Sequence, residues 1–400
     1  MNRLSIAILL ITFGMLTASA ASAQEAAVSP APGTVPIVSL YTMGPGDDTF
    51  SRFGHAAACV FDQTYPNGVC YNYGTADFND PLPLIWGVLR GRATFWVSEV
   101  SLARVMKTYK RLDRTLYRQD LPLTDEAARA LAARLALDAT PENRNFIYHH
   151  FNDNCATRLR DHIDVATGGK LRAATDQDEG DTLRQYVREG FAPSALLSVS
   201  SELLMSRVID TPRTRWQAMF MPEVMREEIQ EHLGVAPQII SARKGPVSDA
   251  PADRGARFLI TAGLVLGALL VPLSLLRSSP RPRRAARAIG AGVIGAVGAL
   301  MFTLALISTE QELWLNEYLF LFLPLDLALP RLKGAWLRRY CAARVALVTV
   351  VALLGLSGVF LQPSLGPLLI VLAGLSPSLL DAFASRSAAT PAGDAVDPSV

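Results

Sequence analysis

The chain has 400 residues, half of them apolar and only 18% charged, with a mean hydropathy of +0.24. These values exclude intrinsic disorder and are too apolar for an ordinary soluble enzyme of this length. A formal charge of +2, with no basic stripe carrying interleaved aromatics, gives no nucleic-acid-binding signature. Cys59, Cys70, Cys155 and Cys341 form no CxxC pair and no zinc-ligand spacing, so neither a metal site nor a cofactor is expected.

Residues 1–23 read as a secretory signal: Arg3 near the amino terminus, an apolar run from Leu4 to Leu16, then Ala21-Ser22-Ala23 before Gln24. The run is shorter than the roughly 20 residues of a bilayer span. Cleavage after Ala23 and export of residues 24–250 as one globular domain are therefore expected, in preference to an uncleaved anchor.

Within that domain Ile37 to Tyr41, His55 to Phe61 and Val69 to Tyr73 have strand character. They are bounded by Gly44-Pro45-Gly46 and Pro66-Asn67-Gly68, with residues 62–68 as a hairpin loop. Ser101 to Leu112, Thr124 to Leu137 and Ala156 to Ile163 have helical spacing, with Thr124 as an N-cap lacking the full capping box. The architecture predicted is α+β.

Two stretches carry candidate chemistry: Ser51-Arg52-Phe53-Gly54-His55-Ala56, which sets a histidine at the start of a strand, and Phe151-Asn152-Asp153-Asn154-Cys155-Ala156-Thr157, where a cysteine opens a helix. A thiol at a helix amino terminus meets the positive end of the macrodipole, and the N–H groups there favour a thiolate and can hold an oxyanion. The base must be a histidine. His149 and His150 read as packing or surface residues, His162 lies two helical turns from Cys155, and His232 sits in a Glu-rich helix, so His55 is left by elimination. The competing explanation is a small buried cysteine and a structural histidine. Cys59 and Cys70 flank one hairpin and can bridge in an oxidising compartment, leaving Cys155 as the free exported thiol; the alternative keeps all three reduced.

Beyond residue 250 five apolar segments follow: Phe258 to Leu276, Ala288 to Ile307, Leu313 to Leu329, Val345 to Leu361 and Leu368 to Phe383, the third and fifth being weakest. The loop after the first holds Arg277, Arg281, Arg283, Arg284 and Arg287, and that after the third Arg331, Lys333, Arg338, Arg339 and Arg344, whereas Glu310 and Glu312 lie between the second and third, with Glu317 just beyond. The alternation places residues 24–250 outside and the carboxyl terminus inside. A five-helix membrane domain is expected over 257–384 and a disordered cytoplasmic tail over 385–400. Asp326, at membrane depth, is assigned to helix–helix hydrogen bonding, and the glycines of the second segment to close packing.

Thr49-Phe50-Ser51-Arg52-Phe53-Gly54-His55-Ala56, Tyr71-Asn72-Tyr73-Gly74 and Phe151-Asn152-Asp153-Asn154-Cys155-Ala156-Thr157 together resemble the periplasmic domain of the lipoprotein intramolecular transacylase (Lnb) family. Asp210-Thr211-Pro212, Met219-Phe220-Met221-Pro222, Asn316-Glu317-Tyr318-Leu319 and Pro324-Leu325-Asp326 extend the resemblance over most of the chain. It implies a permuted papain-like (NlpC-like) extracytoplasmic domain followed by an all-α five-span membrane domain, anchored in the inner membrane. It further implies thiol acyltransferase chemistry, without cofactor, on acyl esters of lipoproteins or phospholipids. Carried over, the nucleophile falls on Cys155, the base on His55 and a polar orienter of the histidine on Asn72. Asn154, Tyr73 and Asn316 become candidates for the substrate or oxyanion vicinity. The chain departs from the family pattern ahead of the third span, where Glu310-Gln311-Glu312-Leu313-Trp314 stands in place of a histidine. The rival expectations are a membrane-tethered cysteine hydrolase or amidase on cell-wall peptides and a non-catalytic envelope protein.

Overall fold

The computed structural model describes residues 35–177, 179–276 and 279–383, so the expected signal segment (1–23) and tail (385–400) lie outside the described residues. After β1 (Ile37–Met43), β2 (His55–Phe61) and β3 (Val69–Thr75) come α1 (Pro81–Leu89), β4 (Thr94–Ser101), α2 (Leu102–Arg111), β5 (Leu116–Asp120), α3 (Asp125–Asp138) and β6 (Asn145–Ile147). Then follow α4 (Cys155–Ala166), α5 (Lys170–Thr175), β7 (Glu179–Thr182), α6 (Leu183–Phe191), α7 (Ala195–Leu204), β8 (Pro212–Thr214), α8 (Arg215–Ala218), α9 (Pro222–Leu233) and β9 (Gln238–Ser241). Seven strands form one antiparallel sheet in the order β6–β4–β3–β2–β1–β5–β9.

The sheet is covered on both faces, and strand alternation decides which residue meets which cover. Ala56, Ala58 and Val60 of β2 and Val69, Tyr71 and Tyr73 of β3 join the large apolar layer that includes Ala156, Leu159 and Ile163 of α4. Ala57, Cys59 and Cys70 enter the smaller layer with Leu102, Val105 and Tyr109 of α2. By the same parity His55 and Asn72 belong to the α2 face. Cys59 and Cys70 are register partners across β2 and β3 and form a disulfide, so the hairpin that carries His55 and Asn72 is covalently tied.

The membrane domain contains α10 (Arg254–Leu275), α11 (Pro280–Ile307), α12 (Gln311–Trp314), α13 (Gly334–Leu356) and α14 (Leu365–Phe383). Among the described residues five segments are long and apolar enough to cross a bilayer, the third spanning Gln311–Arg331. The third is not one helix, which corrects the expectation of five regular spans: α12 is followed by 3₁₀ turns at Glu317–Phe320 and Pro324–Arg331. Pro324 and Pro330 interrupt helical hydrogen bonding there, and irregular backbone survives at membrane depth only where protein satisfies it. Arg344 supplies part of that: it grips Asp326 through Nε and Nη2 (2.9 Å each) and donates to the Leu321 carbonyl (2.5 Å), while the Tyr340 hydroxyl donates to Asp326 (2.8 Å). Arg287 donates to the carbonyls of Leu329 and Leu332. Asp326 thus holds a broken segment to α13, in line with the packing role expected of it. Gly290, Gly295 and Gly298 of α11 meet Gly374, Leu327 and Phe322 at distances no larger residue would allow.

Two boundaries shift. Helix α13 begins at Gly334, so Arg338, Arg339 and Arg344 are helical rather than loop residues; Arg281, Arg283, Arg284 and Arg287 likewise lie in the first turns of α11.

Candidate functional site

Helix α4 starts where Asn154 makes it start. Its Oδ1 accepts from the Ala156 and Thr157 N–H groups (2.8 and 2.9 Å), and the Thr157 hydroxyl accepts from the Asn154 N–H (2.8 Å), a complete capping box. The Asn154 amide donates to the carbonyls of His150 (2.7 Å) and Phe220 (3.0 Å). Every hydrogen-bonding position of this side chain is spent on structure, so Asn154 sets the position of Cys155 and has nothing left for a substrate oxyanion. The cap also occupies the Ala156 and Thr157 N–H groups, which narrows the oxyanion donors expected of the helix terminus.

His55 begins β2 just after Gly54, whose φ of 82° makes the sharp entry into the strand. Its Nε2 lies 2.5 Å from Asn72 Oδ1. An amide oxygen only accepts, so Nε2 carries the proton and the neutral ring keeps its lone pair on Nδ1. The Asn72 amide donates to Thr75 Oγ1 (3.4 Å), which in turn shares a hydrogen bond with Ser98 (2.6 Å). Asn72 thus holds the His55 ring and is itself held from behind.

His55 opens a central strand of the sheet and Cys155 opens the helix packed on it, and the two come together at the sheet's rim, where β3 is irregular between Tyr73 and Thr75. The place is Gly74. A Cβ added there would stand 2.8 Å from His55 Cε1, 3.5 Å from His55 Nδ1 and 3.7 Å from Cys155 Cβ. The imidazole edge bearing the free lone pair thus shares with the cysteine a space that exists because residue 74 has no side chain. The N–H groups of Ala56, Ala156 and Cys155 lie near the sulfur and favour its charged form.

The electrostatics differ from the sequence-based expectation of a thiolate. Burial pushes the Cys155 thiol up to about 11, outweighing the N–H groups of Ala56 and Ala156 and the nearby Arg114 charge. Burial, aided by Arg114 and opposed by the Asn72 hydrogen bond, takes His55 down to about 4. The resting pair at neutral pH is a thiol and a neutral imidazole. A helix terminus stabilises charge only locally, and here desolvation is the larger effect.

Three neighbours carry no sequence signal that would have marked them. Arg114 is buried at the site, its Nε donating to the Gly44 carbonyl (2.7 Å), its Nη2 to Met43 (3.2 Å), and its guanidinium lying over the Tyr109 ring at 4.9 Å. Tyr109 stacks beside His55 with centroids 6.2 Å apart. Burial raises the hydroxyl pKa of Tyr148, as would a negative charge on nearby Cys155, and its ring stacks on Phe95 at 4.3 Å.

The remaining sequence candidates lie elsewhere. Tyr73 is fully buried and donates to Asp138 (2.8 Å), as does His162 (2.8 Å). Asn316 donates to the Leu203 and Leu204 carbonyls at the end of α7 (3.0 Å each) and accepts from the Tyr318 N–H, so it ties the exported domain to the membrane domain. His232 pairs with Glu228 at 3.1 Å, and His150 sits among Phe53, Phe151 and Phe220.

His149, Glu310 and Glu312 bring three potential ligand atoms within 4.8 Å of one another. His149 Nδ1 accepts from the Phe151 and Asn152 N–H groups (3.2 Å each), so its proton resides on Nε2, which faces Glu310 at 2.8 Å. A metal at Nε2 would leave the ring without a proton on either nitrogen, so the cluster suits a hydrogen bond from Nε2–H to the Glu310 carboxylate better than a metal. Burial pulls His149 down, but the bond and charge of Glu310, with the charge of Glu312, hold it above the usual histidine value.

Residues 27–189 match the family model of the Lnb N-terminal periplasmic domain, a stretch that contains both His55 and Cys155. Five candidate membrane segments follow it, and the combination fits a multi-pass protein of the inner membrane. No curated protein and no solved structure matches the chain.

Proposed function

We propose that this protein is a membrane-anchored thiol acyltransferase acting on acyl esters of lipoproteins or phospholipids, with Cys155 as nucleophile, His55 as base and Asn72 as the residue that orients it. The observation that carries the reading is the meeting of Cys155 and His55 around Gly74, inside a domain of the Lnb type that is docked on membrane segments. A permuted papain-like arrangement, with the histidine earlier in the chain than the cysteine, is part of the same proposal.

His55 Nδ1 takes the thiol proton as the sulfur attacks the ester carbonyl, and the imidazolium returns that proton to the departing alkoxide, leaving a thioester on Cys155. An amine of the acceptor, or water, then attacks the thioester; His55 accepts its proton and gives one back to the leaving sulfur. Because thiol and imidazole begin neutral, proton transfer accompanies attack instead of preceding it. The Cys155 N–H and the Arg114 charge are the groups available to stabilise negative charge as it develops. Asn72 keeps the ring in the tautomer this sequence needs.

The membrane domain supplies access. Ester carbonyls lie near the lipid–water boundary, and a site held there avoids exposing acyl chains to water at about 0.8 kcal/mol per methylene. The basic residues near the ends of α11 and α13 and the acidic connection at Glu310 and Glu312 support an orientation with residues 24–250 outside and the carboxyl terminus inside.

The test is mass spectrometry of the full-length protein in lipid. An added acyl mass is expected on the peptide containing Cys155, absent in Cys155→Ala and not accumulating in His55→Ala. A peptidyl adduct would replace the lipid reading by that of an amidase, and the absence of any adduct would overturn the catalytic assignment.

A further inference from the structure

We infer that α1 is an interfacial helix that lies in the outer leaflet and inserts Leu82, Ile85 and Trp86 among the lipids. The inference rests on the membrane-spanning reading and is independent of the chemistry Cys155 performs.

Helix α1 has no charged residue between Pro81 and Leu89, and Arg90 and Arg92 follow it directly. Leu84 turns inward, 8% exposed, whereas Leu82 is 75%, Trp86 50% and Ile85 43% exposed. The three outward residues are spaced i, i+3, i+4 and therefore form one stripe on the helix. Large apolar residues grouped in this way mark an interaction surface.

What covers the stripe follows from the helix's depth. Spanning helix α11 ends at Ile307, and two residues later the Thr309 hydroxyl donates to the Arg90 carbonyl (3.0 Å). Gly91 seats against Thr309 and Glu310 so closely that a Cβ there would stand 2.4 and 2.3 Å from them. The end of α1 is thereby fixed one short loop from the end of a membrane helix. Leu306 before this loop and Trp314 and Leu315 after it are exposed as well. The Arg90 guanidinium stands 5.9 Å from the Trp86 ring, a pairing suited to a boundary where an apolar body meets charged headgroups. A leaflet fits the stripe better than a second protein chain, because the end of α1 is fixed beside the end of a spanning helix.

The inward side gives the helix its place relative to the sulfur. Leu84 joins the layer of Ala93 and Phe95, Phe95 stacks on Tyr148, and Tyr148 lies near Cys155. Lipid at α1 is separated from the site by these side chains.

The test uses full-length protein carrying Cys155→Ala and Cys341→Ala, with a single environment-sensitive fluorophore at Leu82→Cys or Ile85→Cys and a control at Glu126→Cys on α3. In vesicles of phosphatidylcholine and phosphatidylglycerol, both α1 positions are expected to show blue-shifted emission and strong quenching by lipid bearing a nitroxide high on the acyl chain. The Glu126 position should show neither. Emission and quenching at both α1 positions equal to the control would overturn the inference. Shielding without lipid quenching, accompanied by self-quenching that grows with protein density, would assign the stripe to a second copy and overturn it equally.

Discussion

Gly74→Ala tests whether the position of His55 sets the reactivity of the sulfur. The added methyl would stand 2.8 Å from His55 Cε1, whereas carbon atoms rest at roughly 3.5 Å or more. The ring must therefore shift by about 0.7 Å or rotate. The same methyl meets Cys155 Cβ at 3.7 Å, an ordinary contact, so the strain falls on the histidine. Gly74 does not use a positive φ, so alanine adopts its backbone and the fold is retained. Misplacement of a reacting group by 1 Å costs on the order of 100-fold, and the expected loss is about 10- to 100-fold in acylation rate, or about 1.4–2.7 kcal/mol. The assay is the single-turnover rate of acyl transfer to Cys155, followed by intact-protein mass spectrometry, beside a thermal melt of the same sample. A rate within about twofold of the parent, with the melt unchanged, would refute the argument, because a shift of this size should be felt by any proton transfer through His55.

Three further outcomes are expected. Alkylation of Cys155 by iodoacetamide should rise with pH toward a midpoint near 11, since burial raises the thiol; a plateau already reached below pH 7 would indicate a resting thiolate–imidazolium pair instead. Replacing both Cys59 and Cys70 by alanine removes a cross-link between residues 11 apart and should lower stability by about 3 kcal/mol, read by denaturant unfolding of the exported domain's signal. Asp326→Ala leaves Arg344 buried without its counter-ion and should cost about 3–5 kcal/mol, whereas Asp326→Leu with Arg344→Met should cost much less; equal losses would argue against an ion-pair role.

The sequence announced some of this molecule clearly and other parts not at all, for physical reasons. Strand β2 and helix α4 were legible because their signals are local: a glycine turn before His55 and an Asn154 cap with Thr157 three residues on. The Cys59–Cys70 bridge was within reach for the same reason, as the two residues bracket one hairpin. The upward shift of the Cys155 thiol is not legible in the sequence, because a helix terminus can be seen there and the desolvation imposed by neighbours cannot. Arg114 follows α2 with no motif around it and reaches the site through the carbonyls of Met43 and Gly44, some seventy positions away. Asn316 looked like a polar residue facing outward, yet its amide is occupied by α7. The third membrane segment passed as a span on hydropathy, which does not register that Pro324 and Pro330 break it.

The joint between the two halves of the chain has a consequence for selectivity. Asn316 grips the end of α7, Ser206 bonds to the Gln311 and Glu312 carbonyls, Gln362 donates to Met205, and His149 meets Glu310. With so many fastenings Cys155 is held at one height relative to the apolar segments. On the proposed chemistry, tails of any length hang below that altitude unnoticed, while the two ester positions of a glycerol are told apart by height, as a fixed stylus distinguishes grooves.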